Sequence, residues 1–163
     1  MKELFILSKA YEPPVEWYVW FDDDSHVTKN DWFSHMKKYI DEKKKENICY
    51  IGEAWNVPWL AGQWDFIAKS KWYKGKQPDI VKGKPGIHFA TGGYWWLRRD
   101  IADQLDWSDE RLTWAGGDTL LAEAIRQQGL PFHRYKYGVK INDSKRRGVS
   151  MAPAGCTNPN VRR

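Results

Sequence analysis

The sequence predicts an α/β domain in which a mixed β-sheet is flanked by helices. Short aromatic or β-branched segments alternate with amphipathic helical segments, and clusters of glycine and proline separate them. A length of 163 residues suits a single domain, residues 1–163, with a hydrophobic core of its own.

The first half of the chain contains two predicted strands and two predicted helices, of which the first is a short helix over residues 2–10. Residues 16–21 are aromatic and β-branched and run directly into three aspartates, which predicts a buried strand that ends at carboxylates. A helix covers about residues 30–46, because its large apolar side chains share one face. Residues 48–52 form the second strand. Residues 53–86 show little periodicity and are predicted to be rich in loops.

The second half alternates strands and helices. Residues 87–90 form a strand, the pair Gly92-Gly93 indicates a close approach of the backbone, and residues 94–97 resume an extended conformation. A helix is predicted at about 99–105.

A second, strongly helical segment covers residues 119–126 and ends at Gly129, which puts Asp118 at or beside the helix N-cap. Residues 130–139 form the last predicted strand. The remaining residues, 143–163, contain several glycines and prolines and form an irregular basic tail.

Composition and charge exclude several classes of protein. No window approaches the roughly 18 apolar residues of a membrane span, and charged residues interrupt any signal-peptide core within residues 1–21. Cys49 and Cys156 are too few for a disulfide scaffold and lack the spacing of a zinc site. Residues 133–163 hold eight basic side chains against one acid, Asp143, which suits either an anionic ligand or a solvated tail.

Eleven tryptophans are more than core filling requires. An indole offers a flat apolar face and one N–H donor, which sugar rings and nucleobases both use. Core packing is the alternative, and their periodicity favours it for Trp17, Trp20 and Trp32. The candidates for stacking on a donor or acceptor sugar include Trp55, Trp59, Trp95 and Trp96.

The three consecutive aspartates Asp22, Asp23 and Asp24 are the clearest chemical signal. Neighbouring carboxylates repel one another unless a cation neutralises them, and hard oxygen donors suit Mg²⁺ or Mn²⁺. On an extended strand Asp22 and Asp24 point to one side, and Asp23 points to the other, where it can meet another partner. The structural alternative is an Asp-rich turn at the strand exit.

Three motifs in order resemble the Fringe and β1,3-galactosyltransferase type of glycosyltransferase. They are the strand that leads into the aspartates at residues 17–27, the glycine pair and aromatic strand at 91–97, and Gly116-Gly117-Asp118-Thr119. The resemblance covers most of residues 15–142. It implies a Rossmann-like GT-A fold and a metal-dependent transfer of a hexose, with inversion, from a nucleotide-sugar such as a UDP-sugar to a glycan or glycoconjugate.

The resemblance also implies roles for individual residues. Asp24 binds the Mn²⁺ or Mg²⁺ ion directly, and Asp22 faces the ribose or a metal-bound water. Asp23 and the pair Gly92-Gly93 belong to the donor-binding surface. Asp118 is the general base that deprotonates the acceptor hydroxyl. The structural alternative for Asp118 is a capping carboxylate.

The chain departs from that family in two respects. The family places a histidine metal ligand about two dozen residues after the catalytic acid, where this chain has Asn142, an amide that is also able to ligate the ion. Only about twenty residues precede the aspartates, where the family carries a nucleotide-binding half. Either this chain is the catalytic portion of a longer enzyme, or the protein has lost that half. The sheet edge that this half would cover is then expected to favour self-association.

Two other classes of function compete with an enzyme. Excess tryptophan is compatible with a non-catalytic carbohydrate-binding domain derived from such a transferase. A pI of about 9.1 and interleaved aromatics are features of nucleic-acid-binding domains. Three acids beside the aromatic strand would repel phosphates, so we expect no nucleic-acid partner. The sequence leaves the cellular location open, and for a eukaryotic family member the resemblance implies the Golgi lumen.

Overall fold

The computed structural model describes residues 7–8, 10, 14–58, 66–81, 83–105 and 117–142, with the backbone alone at 55–58, 81, 84 and 91. Seven strands, three α-helices and one short 3₁₀ helix have defined bounds in this part of the chain. In order they are β1 (Trp17–Phe21), β2 (Ser25–Val27), α1 (Trp32–Lys43), the 3₁₀ helix (Lys44–Glu46), β3 (Tyr50–Pro58), β4 (Asp79–Val81), β5 (Lys84–Arg98), α2 (Arg99–Leu105), α3 (Gly117–Gln127), β6 (Phe132–Arg134) and β7 (Val139–Ile141).

The main sheet has the strand order β1-β5-β3-β6, and β4 pairs with the first part of β5. All its pairings are antiparallel except that of β3 with β6. The predicted mixed sheet with helices is therefore confirmed, and the sheet is mostly antiparallel. A separate two-stranded sheet pairs β2 with β7. Strands β1 and β3 are both antiparallel to β5, and β6 is parallel to β3. The carboxyl ends of β1 and β6 therefore point towards the same edge of the sheet.

The centre of the main sheet is buried on both faces, which explains the run of large apolar residues at 94–97. On β5, Trp95 and Leu97 pack towards α2 and α3. The alternate residues, Tyr94 and Trp96, pack on the opposite face together with Met36 of α1. This alternation is the period of two expected of a strand, and it creates two hydrophobic cores separated by the sheet.

The region between 53 and 86 differs from its prediction as a loop-rich segment. β3 continues to Pro58, and β5 begins at Lys84 and absorbs both predicted strands at 87–90 and 94–97 in one strand of 15 residues. A register shift between Gly52 and Ala54 joins the two halves of the β3–β5 pairing. The pairing partners lie 28 to 47 residues apart, so local periodicity gave no sign of this long ladder.

The last predicted strand, 130–139, is divided in two. β6 pairs with β3, whereas β7 leaves the main sheet and pairs with β2. Gly138, with a positive φ of 67°, lies in the segment between them and packs closely against Trp32. A glycine in the left-handed region thus allows the chain to turn between β6 and β7. The predicted basic tail at 143–163 lies outside the described residues.

Helix α3 is anchored by polar side chains at its carboxyl end. Gln127 accepts hydrogen bonds from the backbone N–H groups of Lys74 and Lys76 and donates one to the carbonyl of Lys76. The carboxylate of Glu123, which is 1% exposed, accepts hydrogen bonds of 2.7–2.8 Å from the side chains of Arg126 and Gln127. The bonds of Gln127 join the carboxyl end of α3 to residues 74 and 76.

No helix within the described ranges is long and apolar enough to cross a membrane.

Candidate functional site

The candidate site is built where β1 ends. Asp22 follows the strand directly, and its backbone N–H donates to the carbonyl of Gly93 at 3.1 Å. The backbone N–H of Ser25 then donates to the carbonyl of Asp22 at 3.0 Å, which closes a turn over residues 22–25. The Asp-rich turn offered as the structural alternative is therefore present. A turn and a metal site are compatible, because a turn brings nearby carboxylates to one edge.

Strand alternation, the reason given for the directions of the three carboxylates, is wrong, because Asp23 and Asp24 lie in this turn. The side chains nevertheless differ in exposure. Asp23 is exposed, whereas Asp22 and Asp24 are partly buried, and the Oδ1 atom of Asp24 is shielded from solvent.

The glycine pair lies opposite the aspartates on β5, but the two glycines have different surroundings. A Cβ atom at Gly92 would lie 3.4 Å from Asp118 Oδ2 and 3.7 Å from Asp22 Oδ2. A Cβ atom at Gly93 would lie 2.6 Å from the side chain of Ile141. Gly92 therefore faces the carboxylates, whereas Gly93 makes room for β7, which is a packing role rather than the predicted ligand contact.

Asp118 is the second residue of α3, so it lies inside the first turn and not before it. Its Oδ2 accepts a hydrogen bond of 2.9 Å from the backbone N–H of Gly92, and its Oδ1 accepts one of 2.9 Å from the N–H of Thr119. The bond from Thr119 satisfies a backbone N–H at the start of α3, which is part of the predicted capping role. The bond from Gly92 is not a cap, because it connects α3 to the central strand β5.

Burial raises the pKa of Asp118 to about 6, in spite of the backbone donors of Thr119 and Gly92, which lower it. The negative charge of Asp22 raises it further. The carboxyl group is therefore ionised at neutral pH, yet it is a stronger base than an exposed aspartate.

Asn142 lies beside the aspartate turn because β7 pairs with β2. Its backbone N–H donates to the carbonyl of Asp24 at 2.9 Å. Its side-chain Nδ2 lies 3.4 Å from His26 Nδ1, so the imidazole is a neighbour that sequence reasoning treated as isolated. The two side chains meet because residues 25–27 pair with residues 139–141, and only the tertiary structure shows this pairing.

The candidates for holding a divalent cation at this turn are Asp22, Asp24 and Asn142. Within the described residues, no three His, Cys, Asp or Glu side chains are close enough to hold a metal by themselves. Mg²⁺ in nucleotide sites is commonly held by one or two carboxylates, and phosphate oxygens and water complete its shell. Asp22 and Asp24 are the two partly buried carboxylates of this turn, and Asn142 is joined to it through its backbone N–H, which donates to the carbonyl of Asp24.

The tryptophan predictions have different outcomes. Trp95 is 1% exposed and Trp96 is 3% exposed, and they pack into the two cores on either side of the sheet. A sugar cannot stack on rings that the protein already covers, so this prediction is corrected. Trp55 pairs through its backbone with Phe89, and its side chain lies outside what the structure describes, as does all of Trp59.

A groove of about 510 Å³ lies at the same edge of the sheet, beyond the end of β6. Its walls include Tyr135 and Tyr137. The ring of Tyr135 stacks on Tyr39 and the ring of Tyr137 stacks on His35, each pair with centroids 4.0 Å apart. Glu53 lies between the side chains of Arg134 and Lys136 and forms ion pairs with both. Sequence reasoning missed this surface, although the alternation of aromatic and basic residues at 132–137 was visible.

A cavity of about 400 Å³ lies at the opposite end of β1, where Trp17, Lys44 and Arg99 contribute to its walls. It is separated from the aspartate turn by the length of the strand.

Comparison with known proteins leaves the resemblance as an interpretation of the motifs. No family model matches this chain, and no curated protein matches it at a significant level.

Proposed function

We propose that this chain is a metal-dependent, inverting glycosyltransferase, or the catalytic portion of one, that moves a hexose from a nucleotide-sugar to a hydroxyl group of a glycan. A UDP-sugar is the proposed donor, Mn²⁺ or Mg²⁺ is the proposed cofactor, and no nucleic acid is involved. We also infer that the mixed sheet is part of a GT-A arrangement. The shared direction of β1, β3 and β6, with Asp22 directly after β1, supports this inference.

One observation carries the proposal. Asp22, Gly92 and Asp118 come from three motifs that are 70 and 26 residues apart in sequence, and they meet around the Cα of Gly92. A hydrophobic core has no use for two carboxylates facing one another across a glycine. Such an arrangement suits a site where one acid neutralises a bound cation and the other handles a proton.

Asp118 is suited to the proton transfer. Its carboxylate is held by N–H donors on both oxygens, so its position is defined before any substrate binds. A pKa of about 6 leaves it ionised at neutral pH and able to take the proton of an attacking hydroxyl group. The proton would be held on the carboxyl group while the oxygen attacks the anomeric carbon from the side opposite to the leaving group.

Asp22 and Asp24 would hold the cation, with Asn142 beside them. When bound, the divalent cation neutralises the diphosphate leaving group without a proton. Gly92 leaves a space the size of one carbon atom between Asp22 and Asp118.

A donor-hydrolysis assay tests the proposal without knowledge of the acceptor. The chain is incubated with Mn²⁺ and a panel of UDP-, GDP- and ADP-sugars, and the released nucleotide is measured. We expect nucleotide release that depends on the cation, and a loss of at least a hundredfold in Asp118→Asn. The matched control is Asp103→Asn on α2, where an exposed carboxylate lies 3.5 Å from Arg99.

Two other outcomes would contradict the proposal. Sugar binding that persists in Asp118→Asn, with no turnover in either protein, would identify a carbohydrate-binding domain. Equal losses in Asp118→Asn and Asp103→Asn would indicate a general effect on folding.

A further inference from the structure

Trp20 contacts the candidate site through its indole nitrogen. The Nε1–H group donates a hydrogen bond of 3.0 Å to Oδ1 of Asp22. The two residues are separated by one position on an extended chain, so both side chains lie on the same side of the strand end. This bond is charge-assisted and therefore stronger than one between neutral groups. It determines the direction of one oxygen of the Asp22 carboxylate.

The plane of the Trp20 ring is itself fixed. Trp20 is paired in register with Trp95 of β5, and the two indoles stack with centroids 5.8 Å apart and an interplanar angle of 9°. Trp95 is 1% exposed and belongs to the core between the sheet and α3. The indole of Trp20 cannot rotate away from Asp22 without breaking a contact with the core.

The second oxygen of Asp22 is consequently directed to the centre of the site. With Oδ1 bound to Trp20, Oδ2 lies on the side of Gly92, where a Cβ atom would be 3.7 Å from it and 3.4 Å from Asp118 Oδ2. Two carboxylates that share a glycine repel one another. A donor on the far oxygen of Asp22 opposes that repulsion and stops the carboxylate from turning outward.

We propose that Trp20 is a positioning residue, which orients the carboxylate of Asp22 for cation binding and is itself held in place by Trp95. The proposal rests on the proposed function insofar as Asp22 is a cation ligand. It assigns a functional reason to a residue whose strand position alone indicates core packing.

The experiment compares two single substitutions on the same strand. Trp20→Phe keeps an aromatic ring to stack on Trp95 but removes the N–H donor. Trp17→Phe is the matched control, because Trp17 is on β1 and contacts Trp96 at the end of the strand away from Asp22. We expect Mn²⁺ affinity, measured by electron paramagnetic resonance of the free ion, to fall about tenfold in Trp20→Phe and to be unchanged in Trp17→Phe.

A second measurement uses neither a metal ion nor a Trp20 variant, so it does not depend on whether that variant folds. In ¹⁵N-labelled protein, the indole N–H resonance of Trp20 is expected to shift in Asp22→Asn, since a neutral amide is a weaker acceptor than a carboxylate. The indole of Trp96 donates to the hydroxyl of Tyr94 at 2.6 Å and serves as the internal reference, which should not move.

The outcomes separate this inference from the proposed function. Wild-type Mn²⁺ affinity in a folded Trp20→Phe protein, or an unchanged Trp20 resonance in Asp22→Asn, would overturn the positioning role. If wild-type protein binds no Mn²⁺, the metal-dependent function fails, and the indole resonance alone then decides whether Trp20 orients Asp22.

Discussion

The backbone N–H of Gly92 donates a hydrogen bond of 2.9 Å to Oδ2 of Asp118, and this bond joins the central strand to the start of helix α3. The same glycine faces Asp22. Two carboxylates that are 96 positions apart in sequence are therefore arranged around one Cα atom.

The two glycines are expected to respond differently to alanine. In Gly92→Ala the new methyl group fits at van der Waals distance from both carboxylates, so the melting temperature should change little while Mn²⁺ and donor binding weaken. In Gly93→Ala the methyl group would be 2.6 Å from Ile141, which should cost about 1–3 kcal/mol of stability. Urea denaturation and Mn²⁺ titration of both variants check this. Equal destabilisation in the two would contradict it.

The raised pKa of Asp118 predicts a pH dependence of stability. Because its pKa is about 6 in the folded protein and about 4 in the unfolded chain, the folded state binds more protons between these values. The contribution of Asp118 to stability therefore falls as pH rises from about 4 to 6, by about 3 kcal/mol. Asp118→Asn should lack this fall. Urea midpoints in EDTA at several pH values, taken as wild type minus variant, isolate it from other groups.

The same ionisation predicts the pH profile of catalysis. A general base acts only in its charged form, so kcat/KM should rise with pH and level off once Asp118 is ionised, with a midpoint at or below about pH 6. A cation beside Asp22 moves the midpoint downward, since positive charge favours the carboxylate. A profile that falls between pH 5 and 7 would exclude Asp118 as the base.

Asp24 is predicted to be required for cation binding. Its carboxylate has one oxygen shielded from solvent in the turn that follows β1. Asp24→Asn should lower Mn²⁺ affinity by at least tenfold, because a charged ligand is replaced by a neutral one. A smaller effect is expected for Asn142→Ala, where the lost ligand is already neutral. Calorimetry with MnCl₂ measures both, with Asp103→Asn as the control.

Strand β1 is predicted to mediate self-association. Within the described residues it pairs with β5 on one side only, and Val19 is 36% exposed on this aromatic edge strand. Unpaired strand edges recruit other strands, and a lysine on such an edge prevents it. We expect a concentration-dependent increase in mass by sedimentation in the wild type, and a monomer in Val19→Lys. A wild type that remains monomeric at high concentration would contradict this.

The sequence alone determined those parts of the molecule that depend on local pattern. Helix α1 was predicted because Trp32, Met36 and Tyr39 share one face, and β1 because five aromatic or β-branched residues precede acids that a strand cannot bury. The run of aspartates, the glycine pair and the start of the helix at Asp118 were each visible in the sequence, and the resemblance to a glycosyltransferase family connected them as one site. These features need no knowledge of what lies across the fold.

Only the tertiary structure decided which of these residues meet and which are covered. Trp95 and Trp96 have the composition of a sugar-binding surface, but both faces of their strand are packed, and burial depends on helices that are distant in sequence. Gly92 and Gly93 are adjacent and chemically identical, yet one faces carboxylates and the other faces Ile141. Trp20 was expected to serve the core, and it does stack on Trp95, but its N–H also reaches Asp22. Long-range pairing sets these contacts, and a period of two or 3.6 residues carries no information about the partner that a side chain meets across the sheet.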